Sequence, residues 1–451
     1  MFRILFVLFL AVSACAPAPV TELPGRAMPD LPPMKTFSAS RITPPARSNA
    51  AIAQDFMDLT FRMESGRRVP RLTRFAEPIT VRILGAAPPS LDRDLTELLA
   101  RLRREARIDI RRASAGQPAN ITIQARRRAE LQQIVPTAAC FVAPRVTSWT
   151  EYGLARRSAT VDWTTLERRE TAAVFLPSDV SPQEARDCLH EELAQALGPL
   201  NDLYRLPDSI FNDDNLHTIL TGFDMLILRL YYTPDLANGM TAEQVAARLP
   251  GLLARMNPAG QRRSTAPVID TPRAWIEEME TALGPGTAAS RRRAAAARAV
   301  DIARRLNLTD GRLGFSLFAL GRLSLAVDGN AALDAFVRAD QVYAATPGTE
   351  VQRAHVAMHL AAFALSSGQP AMALSLVNTH LAPAVASENA ALLASMLMIK
   401  AEALDALGRA SEARAVRLDS LGWARYGFGR NSEVRARLNE IAALNLKGEH
   451  P

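Results

Sequence analysis

Three glycines recur through the second half of the chain. Gly329, Gly368 and Gly408 are spaced 39 and 40 residues apart, in a run from about 288 to 446 that is rich in Ala and Leu. That run has helical periodicity and no convincing strand. Ala373 and Ala413 each follow their glycine by five residues, and Ala361 and Ala401 each precede it by seven. The Gly329 copy fits only with a one-residue slip, through Ala335. Small residues at fixed offsets from a turn are what paired helices need for close packing, and a unit that cannot bury its apolar face alone must stack on its neighbours. The pattern predicts an all-α helical repeat domain over 288–447.

The first residues read as an address. Met1-Phe2-Arg3 carries one positive charge, Ile4–Val12 is a short apolar core, and Val12-Ser13-Ala14-Cys15 follows. This layout predicts an export signal over 1–14. The last four residues resemble a bacterial lipobox, which implies that Cys15 is diacylated and becomes the new N-terminus, its thiol forming the thioether to the lipid. The plainer reading is an ordinary signal peptide with an incidental cysteine. Ala16, in place of Asp, implies sorting to the outer membrane by resemblance to enterobacterial lipoproteins. The expected location is the cell envelope, lipid-anchored and facing the periplasm. No other apolar run is long enough to span a membrane.

Residues 15–49 hold eight prolines (Pro17, Pro19, Pro24, Pro29, Pro32, Pro33, Pro44 and Pro45), which excludes a helix or a central strand there. They predict an extended tether reaching up to roughly 100 Å at about 3.1 Å per residue. Cys140 and Cys188 are the other two cysteines. An even pair in an exported chain predicts a disulfide, which would stabilise the fold by about 4 kcal/mol in the chain-entropy model. Neither lies in a CxxC motif.

A first folded domain is expected over 50–258 and a linker over 259–287. Ile79–Leu84 alternates and is β-branched, so it reads as a strand. Leu95, Leu98, Leu99 and Leu102 mark a helix face. Further strands are predicted at 108–110, 120–124, 159–163 and 172–176, giving a mixed sheet. Ser181-Pro182-Gln183-Glu184 has the form of a capping box with Pro at the first helical position, Ala185, Leu189, Leu193 and Ala196 share one face, and Gly198-Pro199 ends the helix.

These residues carry three resemblances. The repeat offsets resemble tetratricopeptide repeats. The strand-rich lead-in and the helix ending in Gly198 resemble metzincin zinc peptidases, whose motif is H-E-x-x-H-x-x-G-x-x-H. Aligned on Gly198, that resemblance puts Glu192 at the catalytic glutamate, and Glu191, Gln195 and Asn201 where the three zinc histidines belong. Leu220–Tyr231 looks like the closing helix of that group. The segment Glu191-Glu192-x-x-Gln195-x-x-Gly198-x-x-Asn201-Asp202, with Ser209-Ile210-Phe211, Tyr232-Thr233-Pro234 and Gly239-Met240, resembles the DUF2927 family of bacterial lipoproteins. Together these imply an α+β zincin-like N-terminal domain with a mixed sheet, followed by an all-α tetratricopeptide-like repeat domain.

Zinc takes imidazole, thiolate or carboxylate, and a neutral amide oxygen is a poor ligand. The motif therefore offers Glu191, and Asp202 as a stretch. His190 lies about 140° around the helix from Gln195 and cannot join that set. The expectation is a hydrogen-bonding brace with no cofactor, with zinc only under the alternative of a periplasmic metallopeptidase-like hydrolase with non-standard ligands. Asp202, Asp208, Asp213 and Asp214 read as a turn-rich loop, since their spacing fits no EF-hand. His355 and His359 have a metal-competent i,i+4 spacing without a third ligand, and read as packing or surface residues.

Net charge is +7, and only Lys35, Lys400 and Lys447 of the 53 basic residues are lysines. The arginines are scattered and not interleaved with aromatics, which argues against nucleic acid; the bias reads first as genome base composition, and its functional reading is attraction to anionic surfaces such as phospholipid head groups. The expected partners are the membrane, through the lipid anchor, and a protein held by the helical repeats; the expected function is a non-catalytic adaptor or scaffold.

Overall fold

The computed structural model describes residues 31–445 apart from 38–42, 46, 77, 115, 137, 213 and 262–267. Cys15 and the export signal lie outside the described residues. Among the described residues, no helix is long and apolar enough to cross a membrane.

The N-terminal half opens with helix α1 (Asn49–Phe61), in which Ser48 caps the backbone N–H of Ala51. A five-stranded sheet follows, built from β1 (Ile79–Leu84), β2 (Ile110–Arg112), β3 (Ile121–Arg126), β4 (Phe141–Pro144) and β5 (Ala172–Pro177), in the order β2-β1-β3-β5-β4. β1 pairs in parallel with β2 and β3, and β3 with β5; β4 alone runs antiparallel, with Phe141 opposite Phe175. The sheet is mixed, as predicted. Helices α2 (Leu91–Arg101), α3 (Arg128–Ile134), α4 (Trp149–Ala155), α5 (Pro182–Leu197) and α6 (Gly222–Tyr231) cover it, and α7 (Ala242–Ala246) and α8 (Leu249–Met256) pack beside α1. β5 is covered on both faces and reads as an unbroken apolar run, while β1 and β3 keep polar residues at alternate positions. Ile79, Val81, Ile123 and Val174 face α2, α5 and α6, while Ala173 and Phe175 face Trp149 and Tyr152 on the other side.

One predicted strand is replaced by another. Residues 159–163 form successive tight turns, because Ser158 accepts from the N–H of Thr160 and Asp162 from the N–H of Thr164. Local side-chain acceptors outcompete a sheet ladder at such positions. The edge strand is instead Phe141–Pro144, short and ended by proline.

The C-terminal half is a stack of helical hairpins: α9 (Arg273–Leu283) with α10 (Ala289–Arg305), α11 (Gly311–Ser324) with α12 (Gly329–Ala345), α13 (Glu350–Ser366) with α14 (Pro370–Ala386), and α15 (Ala390–Ala406) with α16 (Ala410–Gly427), followed by α17 (Asn431–Ala442). Gly368 and Gly408 make the turns inside their hairpins at φ +70° and +77°, the left-handed region that favours glycine. Gly329 is instead the first residue of α12, capped by Asp328, which explains its slip. Ala361, Ala373, Ala401 and Ala413 are completely buried. Within the expected linker, α9 packs on α10, and its Trp275 donates to Ser316 Oγ.

Of the predicted tether, residues 31–37 have no regular secondary structure and lie on the protein. Lys35 N–H donates to the Gly422 carbonyl, Arg425 donates to the Pro32 carbonyl, and Phe37 stacks on Trp423 with centroids 4.5 Å apart.

Candidate functional site

Helix α5 carries the site. Ser181 accepts from the N–H of Glu184, the first half of the predicted capping box; the Glu184 carboxylate turns to Arg128 instead of back to the cap. Ala185, Leu189, Leu193 and Ala196 are fully buried on the predicted face. The far end is held by a residue the sequence did not single out. Arg169, 4% exposed, donates to the carbonyls of Gln195, Ala196 and Gly198 at 2.5–2.6 Å and lies over the Trp163 ring. A cation at a helix C-terminus meets the unpaired carbonyls and the negative end of the helix dipole.

Gly198 has φ −165°, which any residue adopts. It is required for another reason: a Cβ there would stand 2.9 Å from the ring of Tyr231, at the end of α6. The Tyr231 hydroxyl donates to Thr60 Oγ1, and the Tyr232 hydroxyl to the Leu197 carbonyl. α6 starts with a full capping box of Thr221 and Asp224, and the Asp224 carboxylate also accepts from Ser209 Oγ and the N–H of Ile210.

Cys140 and Cys188 form the predicted disulfide, with Cα atoms 5.9 Å apart. It ties the start of β4 to α5, one turn before Glu191 and Glu192. Glu192 is 4% exposed, and its Oε2 has no hydrogen-bond partner. Burial pushes its carboxyl well above the usual carboxylate range, and the nearby charges of Glu191 and Glu64 push the same way. The Cys140 sulfur and the carboxylates of Glu191 and Glu192 lie within 4.8 Å of one another. While that sulfur is in the disulfide, it is not a thiolate ligand.

The other motif positions diverge. Gln195 Nε2 donates to Asp202 Oδ2 at 3.3 Å, on the half-buried side of the helix. Asn201 is buried, and its amide donates to the Asp58 carbonyl of α1 at 3.0 Å. His190 is buried, accepts from the N–H of Leu220, and is held neutral by burial and by the positive charges of Arg186 and Arg101. In the aspartate loop, Asp208 pairs with Arg47, while Asp214 accepts from the N–H of Leu216 and from Asn212; Asp213 lies outside the described residues. His355 and His359 are packing residues, His359 stacking flat on Phe336 at 4.6 Å, and burial lowers them to about 3 and about 4.

The first half of α5 grips the helical hairpins. Gln183 donates to Asn389 Oδ1 and accepts from the N–H of Ala391, and Arg186 makes a buried ion pair with Glu388.

Residues 49–251 match the DUF2927 family model. Its description is a protein of unknown function, so it brings no activity with it. No curated protein and no solved structure matches the chain. The DUF2927 region starts at α1 and ends inside α8; just after α8, the Asn257 amide donates to Asn49 Oδ1, and the Asn49 amide donates to the Asn257 backbone carbonyl. Its sequence marks do structural work: Ser209 and Ile210 bind the α6 cap, and Gly198 receives the Tyr231 ring.

Proposed function

We propose that the chain is a lipid-anchored envelope protein that holds partner proteins and performs no reaction of its own. The observation that carries the non-catalytic part is Asn201, whose amide is committed to Asp58 of α1 while Gln195 is turned to Asp202. Two of the three ligand positions are thus amides, each engaged elsewhere, and the residues do not fit a catalytic zinc centre. We read the DUF2927 region as a zincin-shaped fold in which the motif residues brace the helix. The hairpins are read as tetratricopeptide-like, supported by the Gly368 and Gly408 turns and by buried alanines at the close contacts.

A partner-binding role is supported by Leu333, Val337, Met372, Val385 and Leu418, apolar side chains 36–54% exposed on α12, α14 and α16. The anchor and periplasmic placement are supported by the signal layout ending at Cys15, and the disulfide fits an oxidising compartment. The hydrolase alternative is favoured by one observation, the raised and unpartnered carboxyl of Glu192.

The test is made on detergent-purified full chain with its disulfide intact. The expected result is no stoichiometric zinc, no proteolysis, and Glu192→Ala acting on stability alone. In cells, a photo-crosslinker at Val337 or Met372 should trap a discrete protein adduct that one at exposed Arg111 on β2 does not. Tightly bound zinc, with proteolysis abolished by Glu192→Ala at unchanged stability, would overturn the reading.

A further inference from the structure

Three donor groups, Cys140, Glu191 and Glu192, lie together where α5 meets the segment leading into β4, and the Cys188 sulfur is bonded to that of Cys140. Cys188, Glu191 and Glu192 occupy positions i, i+3 and i+4 of α5, so they project from one side of the helix. Cys140 faces them, its sulfur within 4.8 Å of both carboxylates and bonded to that of Cys188. Glu192 is 96% buried, and its Oε2 has no donor. The nearby charges acting on this carboxylate, from Glu191 and Glu64, are both negative. A buried carboxylate among acids, with one oxygen that has no hydrogen-bond donor, is complementary to a cation.

We propose that Cys140, Cys188, Glu191 and Glu192 form a zinc site that exists only while the disulfide is open. With the disulfide closed, the two carboxylates supply two donors, short of the four that zinc takes. A dithiol reductant delivers two electrons and two protons to the S–S bond and is itself oxidised to a disulfide. Zinc then displaces the two thiol protons to solvent and is held by two thiolates and two carboxylates. The sulfurs must part to the ~3.8 Å spacing of two thiolates on one tetrahedral zinc. Side-chain rotation suffices, because the Cα atoms already stand 5.9 Å apart. Mixed thiolate and carboxylate ligation selects zinc over magnesium and calcium. In the reverse direction a disulfide oxidant takes two electrons from the thiolates and two protons from solvent, the S–S bond re-forms, and zinc leaves. The link between β4 and α5 therefore persists in both redox states, first through the metal and then through the bond. The proposal is independent of the adaptor reading, which rests on positions 195 and 201 in the oxidised chain.

The experiment uses detergent-purified full chain, either oxidised or reduced with dithiothreitol and desalted without air, then dialysed with zinc sulfate and assayed for metal. The reduced chain should retain one zinc and the oxidised chain none. Cobalt(II) in the reduced chain should give a thiolate charge-transfer band and a tetrahedral visible spectrum. Reduced Glu192→Gln and Glu191→Gln should lose the metal on the same dialysis, and zinc should raise the melting temperature of the reduced wild type but not of reduced Glu192→Gln. A reduced chain without zinc, an oxidised chain with as much, or uptake unchanged by both glutamate variants would overturn the proposal, the last by showing ligation through cysteine alone.

Discussion

Replacing Gly198 by alanine tests why the motif glycine is there. Its φ lies outside the left-handed region, and the added methyl has a definite obstacle. That methyl would meet Cδ2 and Cε2 of Tyr231 at 2.9 Å and Cγ at 3.0 Å. The ring has little room to give: Tyr231 is 1% exposed, tied by its hydroxyl to Thr60 at 2.8 Å, and flanked by Phe56 at 5.0 Å. Overpacking of this kind costs about 1–3 kcal/mol. In urea unfolding followed by tryptophan fluorescence, Gly198→Ala should lower the midpoint with an unchanged slope. Melting should fall by roughly 2–4 °C for each kcal/mol in a domain of this size. Tyr231→Leu leaves space where the methyl points, so the double variant should be more stable than the two single losses predict, by about 1 kcal/mol or more. Wild-type stability in Gly198→Ala, or strict additivity in the double variant, would refute the argument that ring contact selects the glycine.

Three further changes give independent readouts. Cys15→Ser should release the protein from membranes or leave it unprocessed, as read by fractionation and mass; unchanged attachment and processing would count against lipidation. Arg169→Met should strip three carbonyls of their donor and lower stability by about 3–5 kcal/mol, less whatever is regained by not burying a guanidinium; a loss below about 1 kcal/mol in urea unfolding would show that the cap is dispensable. Asp94, 2% exposed and facing Arg186 and Tyr426, with Arg93 and Glu97 nearby, is held up by burial to about 6 against the pull of Arg186. Its folded value lies above its unfolded one, so its contribution is full below about pH 4 and is lost as pH rises through about 6, roughly 2–3 kcal/mol in all. Asp94→Asn should therefore gain on the wild type across that window, and a stability difference that is flat with pH would remove Asp94 as the cause.

What was legible in the sequence followed from local physics. Ile79–Leu84 announces a strand because β-branched alternation is a property of the segment itself, and Ser181 and Gly198 mark the ends of α5 because caps are local. α1 was equally available, since Ile52, Phe56 and Leu59 repeat at helical spacing behind Ser48, although no element is predicted at that start of the first domain. β2 falls at 110–112, two residues later than expected, because Ile110 must sit opposite Ile79 in the ladder, and pairing is not visible within one segment. The candidate site divides in the same way. The disulfide and the buried face of α5 were readable, whereas Arg169 reaches the end of that helix from 26 to 29 residues away. Arg186 and Glu388 are 202 residues apart, and neither has a neighbour in sequence that hints at the other.

That pair also constrains where a partner can bind. Glu388 sits at φ +52°, a conformation uncommon for a residue with a side chain, and its carboxylate is spent on Arg186 inside the protein. Removing either partner would leave a buried charge uncompensated, at a cost of about 3–5 kcal/mol. Gln183, Gln352 and Thr218 add hydrogen bonds across the same boundary. The side of the hairpins formed by the starts of α13 and α15 is therefore already occupied by the DUF2927 region. Large apolar side chains more than a third exposed are found on α12, α14 and α16 and on none of α11, α13 and α15. A partner that uses apolar contact with the last three hairpins has to approach the second helix of each, which is why Val337 and Met372 are the positions at which a crosslinker decides the adaptor reading.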